Sequence, residues 1–245
     1  MNRWPIKRQK AREMTEGRRV AFFGGSFDPP HCGHLAVARA ARAALDLDTV
    51  LFAPVGAQPL KPLGSTASFE DRLAMTRLAI ANEPGFAVSL ADAPVPGGTP
   101  NFTIDTLLGL RAGLPPGGSL FCLVGADSFL ALRHWHRGAE IPFVAPLIVA
   151  SRPGLSLEDL AVILPAGLSI DLESAETGNL EVRTYTLGNP SGATAPLYLL
   201  PGLHVEISAS EIRQQVRAAL GRLPAGHELL PDAVSEYIAA HALYR

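Results

Sequence analysis

Short apolar runs alternate along the chain with segments whose apolar residues recur at helical spacing. The apolar runs predict strands at 19–23, 49–53, 86–90, 119–124 and 147–150. The helical spacing predicts helices at 33–45, 68–80 and 103–111, with two more near the end at 208–220 and 231–243. Repeated strand-then-helix units with apolar strands predict an α/β fold, a doubly wound parallel sheet with C-terminal helices.

Four of the predicted strands run directly into segments rich in glycine or polar residues. These segments begin at positions 24, 54, 125 and 151. In an open parallel sheet, ligands bind beyond the carboxyl ends of the strands, where such segments gather. The pattern therefore predicts a binding site at that edge of the sheet.

The hydrophobic pattern is weaker between 155 and 203. It predicts strands at 185–187 and 197–200, with loops around 178–179 and 188–196. We interpret 18–245 as a single domain in which the region 171–199 resembles an insertion. Residues 1–17 carry several basic residues without an apolar segment, so we expect a disordered, solvated extension; a binding tail is the alternative.

Composition narrows the functional classes. The chain is 47% hydrophobic and 18% charged with a net charge of −2, which gives no basic field for nucleic acid or a membrane surface. Its two cysteines are typical of a reducing compartment rather than of a disulfide framework. No apolar run approaches the roughly 18 residues of a membrane span, and no secretory signal is recognisable. We therefore expect a cytoplasmic protein with no nucleic-acid or membrane partner, and homo-oligomerisation stays open.

The segment Gly24 to His34, GGSFDPPHCGH, carries the most chemistry. It takes the chain from a buried strand through a Gly-Gly turn into a helix that begins near His31 and His34. Backbone N–H groups and two imidazoles meet at one helix N-terminus, an arrangement that binds phosphate groups. Asp28 stands before proline, which favours shaping the turn over acid catalysis.

Two other readings of the histidine pair remain open at this point. His31, Cys32 and His34 are all zinc ligands by type, but no second Cys/His cluster supplies a fourth ligand. The histidines could also serve only in packing at the start of the helix. The adjacent glycines favour the phosphate site.

The residues His31-Cys32-Gly33-His34 and Ile207-Ser208-Ala209-Ser210-Glu211-Ile212-Arg213 resemble the two motifs of a nucleotidyltransferase superfamily with a Rossmann-like fold. Further segments, at 68–80, 101–108, 125–137, 151–154 and 230–244, are similar to the bacterial nicotinate-nucleotide adenylyltransferase family. The segment GADSFLALRHWHR at 125–137 distinguishes that family from its relatives.

The resemblance implies transfer of the adenylyl group of ATP to nicotinate mononucleotide, giving deamido-NAD and pyrophosphate in NAD biosynthesis. His31, His34 and Arg213 are the expected catalytic residues, the histidines stabilising charge on the α- and β-phosphates. Mg²⁺ is the expected cofactor, bound mainly through substrate phosphates, and no residue is assigned as a metal ligand.

The resemblance also implies the binding residues. It assigns Trp135 to stacking on the nicotinate ring, Thr103 with nearby backbone amides to its carboxylate, and Asp127 to the nucleotide ribose. The residues expected to bind ATP are Gly24, Gly25, Ser26, Phe27, His31, Gly33, His34, Lys61, Gly125, Asp127, Arg152, Ser208, Ser210 and Arg213. Those expected to bind the nicotinate nucleotide are Lys61, Thr103, Trp135 and His136.

The chain departs from the family pattern at two positions. Leu60 stands where a histidine is expected after the second strand, with Lys61 keeping a cation beside it, and Phe102 lacks the hydroxyl that is frequent there. The alternatives are another adenylyl- or cytidylyltransferase of the superfamily, such as phosphopantetheine adenylyltransferase, and a non-catalytic nucleotide sensor on the same fold.

Overall fold

The computed structural model describes residues 17–60, 64–150, 163–177, 182–200, 207–219 and 228–245. Its strands are β1 (Arg19–Gly25), β2 (Thr49–Pro54), β3 (Phe86–Val88), β4 (Ser119–Gly125), β5 (Leu147–Ala150), β6 (Ser169–Thr177), β7 (Val182–Gly188) and β8 (Thr194–Leu200). The first five match the strands expected from the apolar runs to within two residues at each end. The predicted extension at 1–17 lies outside the described residues, except for its last residue.

The helices are α1 (Cys32–Ala44), α2 (Phe69–Ile80), α3 (Thr103–Ala112), α4 (Ala126–Leu130), α5 (Ile141–Val144), α6 (Ala209–Ala218) and α7 (Asp232–Ala240). Two 3₁₀ turns, Leu132–His134 and Gly138–Glu140, connect α4 to α5. The sequence did not predict α4 and α5, because one or two helical turns leave too few residues to show a period. Within the described parts of the chain, no helix has both the length and the apolar character to cross a membrane.

The strands form one sheet in the order β3-β2-β1-β4-β5-β8-β7-β6. The six strands from β3 to β8 pair in parallel, which confirms the α/β fold with a mostly parallel sheet. The last two, β7 and β6, add to β8 in antiparallel pairing. The sheet is therefore mixed, and the region 171–199 supplies most of β6, β7 and β8 at one end of it, with β6 as the edge strand.

The two faces of the sheet bury separate apolar clusters. In β1, Ala21 and Phe23 face the cluster that includes residues of α1, α2, α6 and α7, while Val20 and Phe22 face the cluster that includes residues of α3 and α5. Helices on both faces leave the ends of the parallel strands as the accessible part of the sheet. The segments that follow β1, β2, β3 and β4 meet at its carboxyl edge, where the sequence predicted a site.

Candidate active site

A cavity of about 750 Å³ opens at the carboxyl edge of the sheet. It lies between the loop after β1, the start of α4 and the start of α6. The predicted site residues that line it are Gly24, Gly25, Ser26, Phe27, His31, Gly33, His34, Thr103, Gly125, Asp127, Trp135, His136, Ser208, Ser210 and Arg213. The other two, Lys61 and Arg152, lie outside the described residues.

The two histidines lie together at the start of α1. His31 is the residue before the first helical position, and its ring lies 3.6 Å from that of His34, centroid to centroid. The backbone N–H of His31 donates to Nδ1 of His34 at 3.1 Å. Because Nδ1 of His34 is an acceptor, the neutral ring carries its proton on Nε2. Nδ1 of His31 is buried and has no hydrogen-bond partner among the described residues.

Burial keeps both imidazoles uncharged at neutral pH. Desolvation lowers the pKa of His31 to about 4. Desolvation, with the neighbouring His31 as a smaller cause, also holds the pKa of His34 well below its usual range. The two imidazoles therefore present neutral N–H donors to the cavity. The negative charge of a bound polyphosphate would act in the opposite direction, because it favours the protonated imidazole.

The turn before the histidines brings backbone close to the cavity. A Cβ on Gly24 would lie 2.7 Å from the ring of Phe22, so a side chain there would require a shift of a buried aromatic residue. Phe27 adopts a positive φ of 47° and is nevertheless buried, with its ring packed edge-on against that of His34 at 5.0 Å. The turn thus holds His34 from one side while it lines the cavity.

Arg213 reaches the cavity from the far end of the chain. Ser208 precedes α6, and Arg213 lies one turn into that helix. Its Nη1 donates to the backbone carbonyl of Asp28 at 2.7 Å, and its Nη2 donates to Oγ of Ser210 at 3.2 Å. The two motifs, separated by 185 positions at this contact, therefore form one wall of the cavity.

The carboxylate of Asp28 accepts hydrogen bonds from three donors in different parts of the chain. Its Oδ2 accepts from the backbone N–H of Thr66 at 2.6 Å, and its Oδ1 accepts from that of Ala67 at 3.1 Å and from the hydroxyl of Tyr244 at 2.8 Å. These donors fix the carboxylate, as expected for a residue that shapes the loop. The reach to Thr66 and Tyr244 was not predicted, because no local pattern marks such distant contacts.

Arg72 of α2 supports the same loops from behind the cavity. Its guanidinium donates to the carbonyls of Ser26 at 2.7 Å, Val55 at 2.8 Å and Ala67 at 3.3 Å. The residue is 2% exposed, and desolvation lowers its pKa. It joins the loops after β1 and β2, which makes it a positioning residue that the sequence analysis missed. An arginine in an amphipathic helix is normally exposed, so the sequence carried no signal.

The opposite side of the cavity has an aromatic surface. Trp135 is half-buried against the apolar cluster around α3, and the ring of His136 lies 4.4 Å from that of Phe102. Thr103 is the first residue of α3, so its N–H group and that of Ile104 come too early in the helix to donate to a carbonyl of a preceding helical turn. An aromatic platform beside such donors suits a flat ring with an anionic substituent.

Asp92 also lines the cavity and was not predicted. It is 4% exposed, its Oδ1 accepts from the hydroxyl of Thr106, and burial raises its pKa. Nearby, the amide of Asn101 joins the loops after β2 and β3 by accepting from Ala57 N–H and donating to the carbonyl of Ala93, both at 3.0 Å. These contacts connect the start of α3 to the neighbouring loops.

The carboxylates and imidazoles of the described residues determine whether the chain itself could hold a metal ion. In the residue ranges that the structure describes, no three His, Cys, Asp or Glu side chains form a group able to hold one. Both carboxylate oxygens of Asp28 already accept hydrogen bonds from protein donors. The residues present therefore fit an ion whose ligands come mainly from phosphate groups and water, which is the usual state of Mg²⁺ beside nucleotides.

Sequence comparison identifies relatives across nearly the whole chain. The cytidylyltransferase-like family model matches residues 22–215. A protein of Geobacter sp. (strain M21) is 38% identical over 226 residues, covering 92% of this chain and 98% of its own. One of Laribacter hongkongensis is 39% identical over 235 residues, covering 95% and 98%. Both relatives are named nicotinate-nucleotide adenylyltransferase.

Structural comparison gives the same fold. Nicotinic acid mononucleotide adenylyltransferase of Plasmodium falciparum, complexed with NaAD, superposes with a TM-score of 0.64 at 17% identity. The same protein complexed with APC superposes with a TM-score of 0.63 at 15% identity. Each match covers 93% of this chain and 97% of the other.

Proposed function

Because the chain belongs to the nicotinate-nucleotide adenylyltransferase family, within the cytidylyltransferase-like proteins, we propose that it transfers the adenylyl group of ATP to nicotinate mononucleotide. The reaction yields deamido-NAD and pyrophosphate in NAD biosynthesis. A cytoplasmic location and the absence of a nucleic-acid partner belong to the same proposal, since both substrates are small metabolites.

The reaction is an in-line displacement at the α-phosphorus of ATP. A phosphate oxygen of nicotinate mononucleotide forms a bond to that phosphorus, and the bond from it to the oxygen bridging to the β-phosphorus breaks. The electron pair leaves with pyrophosphate. The nucleophile is already an anion, so no general base and no covalent enzyme intermediate are required. Catalysis then consists of positioning and stabilisation of developing charge.

His31 and His34 are proposed to bind the α- and β-phosphates. The Nε2 proton of His34 is an unambiguous donor, because Nδ1 of that ring is occupied as an acceptor. Phosphate charge stabilises protonated imidazole, so ATP should raise the pKa of both rings from their low values in the free protein. Arg213, Ser208 and Ser210 would hold the remaining phosphates, with Lys61 and Arg152 as further proposed contacts.

Trp135 is proposed to stack on the nicotinate ring, with the first turn of α3 at Thr103 and the side chain of His136 near its carboxylate. Asp127, at the second position of α4, is proposed to contact a nucleotide ribose. Leu60 is 49% exposed on the cavity and has no polar group, so it adds nothing to phosphate binding where the family usually has a histidine.

Mg²⁺ is proposed as the cofactor, held mainly by the substrate phosphates and water. When bound, it neutralises charge on the phosphates and the departing pyrophosphate. The residues of the chain then bind the nucleotide, hold its α-phosphate near the acceptor and donate N–H groups to the phosphate oxygens.

One observation carries the proposal. The histidine pair, Arg213 and Trp135 come from three distant parts of the sequence and line the same cavity. That arrangement provides phosphate donors on one wall and an aromatic surface on another, as joining two nucleotides requires.

The test is pyrophosphate release from ATP and Mg²⁺ with three acceptors in parallel: nicotinate mononucleotide, nicotinamide mononucleotide and phosphopantetheine. We expect the highest kcat/KM with the first and no release when Mg²⁺ is chelated. Preference for phosphopantetheine would assign the chain to another branch of the superfamily. ATP binding without turnover on any acceptor would favour a nucleotide sensor.

A further inference from the structure

We propose that Tyr244 is a positioning residue for the triphosphate half of the site, acting on Arg213 through Asp28. The proposal rests on the proposed function, since it concerns the affinity of the same site for Mg·ATP. It assigns a role to the segment after α7, which has no residue on the cavity wall among those that the structure describes.

Tyr244 is buried, and its hydroxyl donates to Oδ1 of Asp28 at 2.8 Å across 216 positions of sequence. Asp28 is also buried, and its carboxylate accepts in addition from the backbone N–H groups of Thr66 and Ala67. The hydroxyl is thus the one side-chain donor among these three, and it approaches from outside the loop. The carboxylate orientation therefore depends on Tyr244.

Asp28 in turn determines where the guanidinium of Arg213 lies. Its backbone carbonyl accepts from Nη1 of Arg213 at 2.7 Å, while its Oδ2 lies 4.0 Å from the same nitrogen. In this arrangement the carboxylate accepts from other donors, and its ion pair with the guanidinium, which lines the cavity, is a long one of 4.0 Å. Arg213 therefore stays available to phosphate oxygens.

Removal of the tyrosine hydroxyl would change the hydrogen bonds of Asp28 and, through them, the position of Arg213. Oδ1 of Asp28 would lose a donor in a buried setting, where an under-satisfied carboxylate is unfavourable. Among the described residues, Arg213 is the cation that lies within 4.0 Å of this carboxylate, measured from Nη1 to Oδ2, and it could compensate for the lost donor. A closer Asp28–Arg213 pair would draw the guanidinium away from the phosphates. Tyr244→Phe should therefore weaken Mg·ATP binding and leave the nicotinate nucleotide unaffected.

The chain contains a matched control. The hydroxyl of Tyr237 in α7 donates to Oδ1 of Asp71 in α2 at 3.0 Å. This contact is also a hydrogen bond from a tyrosine to an aspartate. Neither Tyr237 nor Asp71 lines the cavity. Tyr237→Phe removes the same chemical group seven positions earlier without contact to Asp28.

The experiment measures the Kd of Mg·ATP by calorimetry, without acceptor, at a temperature where circular dichroism shows each variant folded. We expect Tyr244→Phe to raise Kd roughly five- to tenfold, the order of one typical hydrogen bond. Tyr237→Phe should change it less than twofold. In steady-state assays, Tyr244→Phe should raise the KM for ATP and leave the KM for nicotinate mononucleotide within twofold. An unchanged Kd in Tyr244→Phe overturns the proposal.

A double variant tests the path through Arg213. In an Arg213→Lys background, which keeps the charge but loses the planar fork, Tyr244→Phe should change the Kd of Mg·ATP less than twofold. An equal loss in both backgrounds would mean that Tyr244 acts elsewhere. Failure of the proposed function would give a different result, because the unaltered protein would then bind Mg·ATP but form no dinucleotide. The comparison of Kd values for Mg·ATP would still decide the role of Tyr244.

Discussion

At the scale of single residues, the site uses burial to make good donors from histidines. A charged imidazole is unfavourable in a desolvated setting, so burial keeps His31 and His34 neutral at neutral pH. The backbone N–H of His31 also settles which nitrogen of His34 carries the proton. The ring is thereby oriented before substrate binds, as electrostatic preorganisation requires.

His34→Asn separates the two jobs of this ring. The asparagine oxygen can keep the hydrogen bond from His31 N–H, while the Nε2 donor is lost. We expect kcat to fall by about 10²-fold, as for loss of one charge-stabilising donor elsewhere, with thermal stability close to that of the unaltered protein. His34→Ala should lose kcat equally and stability in addition. Steady-state kinetics and thermal unfolding check both, and near-normal turnover in His34→Asn would remove the ring from charge stabilisation.

The same burial makes stability depend on pH. The pKa of His31 is about 4 in the folded protein and about 6.5 in an unfolded chain. Between these values the unfolded state binds more protons, so the free energy of unfolding is highest above pH 6.5 and falls as pH decreases. The limiting slope is about 1.4 kcal/mol per pH unit for each such histidine.

Urea unfolding at pH 7.0, 6.0 and 5.0 measures this slope. The double variant His31→Asn, His34→Asn should show a shallower decline over the same range, since asparagine does not titrate. If the variant and the unaltered protein decline in parallel, the two histidines are not protected from protons in the folded state.

At the scale of elements, α2 holds two strand-end loops through one side chain. The three carbonyls bound by Arg72 belong to Ser26, Val55 and Ala67, so one buried guanidinium donates to three separate points of the backbone. Lysine has the charge but cannot place donors on three carbonyls in a plane. The loop after β1, with its turn and both histidines, is thus tied to the helix behind it.

Arg72→Lys should lower kcat/KM for ATP roughly tenfold, because the loop that carries the histidines loses its support. It should also lower the free energy of unfolding by roughly 1–3 kcal/mol, the cost of unsatisfied buried carbonyls. Arg77→Lys on the exposed side of the same helix is the control and should change neither quantity measurably. Unaltered kinetics in Arg72→Lys would limit the residue to a stabilising role.

The limits of sequence reasoning also follow from the elements. Strands β1, β2, β4 and β5 were predictable because buried parallel strands are continuous apolar runs. Strand β6 was missed because its sequence SIDLESAET contains three acidic residues and reads as a loop. The turn after β1 and the helix that begins beside His31 were predictable from adjacent residues. The contacts of Asp28 with Tyr244 and of Arg72 with three loops were not, because they depend on chain segments that come together only on folding.

At the scale of the whole molecule, the strands that border the cavity and the antiparallel strands that extend the sheet lie in different parts of it. The cavity lies at the carboxyl ends of β1 and β4, whereas β7 and β6 extend the other side of the sheet beyond β8. Leu187 of β7 is fully buried and pairs with Ala195 of β8. Ala195 lies two positions before Leu197, the residue of β8 that pairs with the first residue of β5. The side chain of Leu187 therefore supports the end of the sheet opposite the cavity.

Leu187→Ala should lower the free energy of unfolding by about 2–5 kcal/mol, the usual cost of a cavity in a core. At a temperature where the variant is folded, kcat and both KM values should stay within twofold of the unaltered protein. Leu78→Ala, at an exposed position of α2, is the control and should lower the free energy of unfolding much less.

Urea unfolding followed by tryptophan fluorescence and by circular dichroism should give one coincident transition, because β6, β7 and β8 share the sheet and its core with the site. Two separate transitions in Leu187→Ala would instead mean that the region 171–199 folds as a unit of its own, independent of the strands that build the cavity.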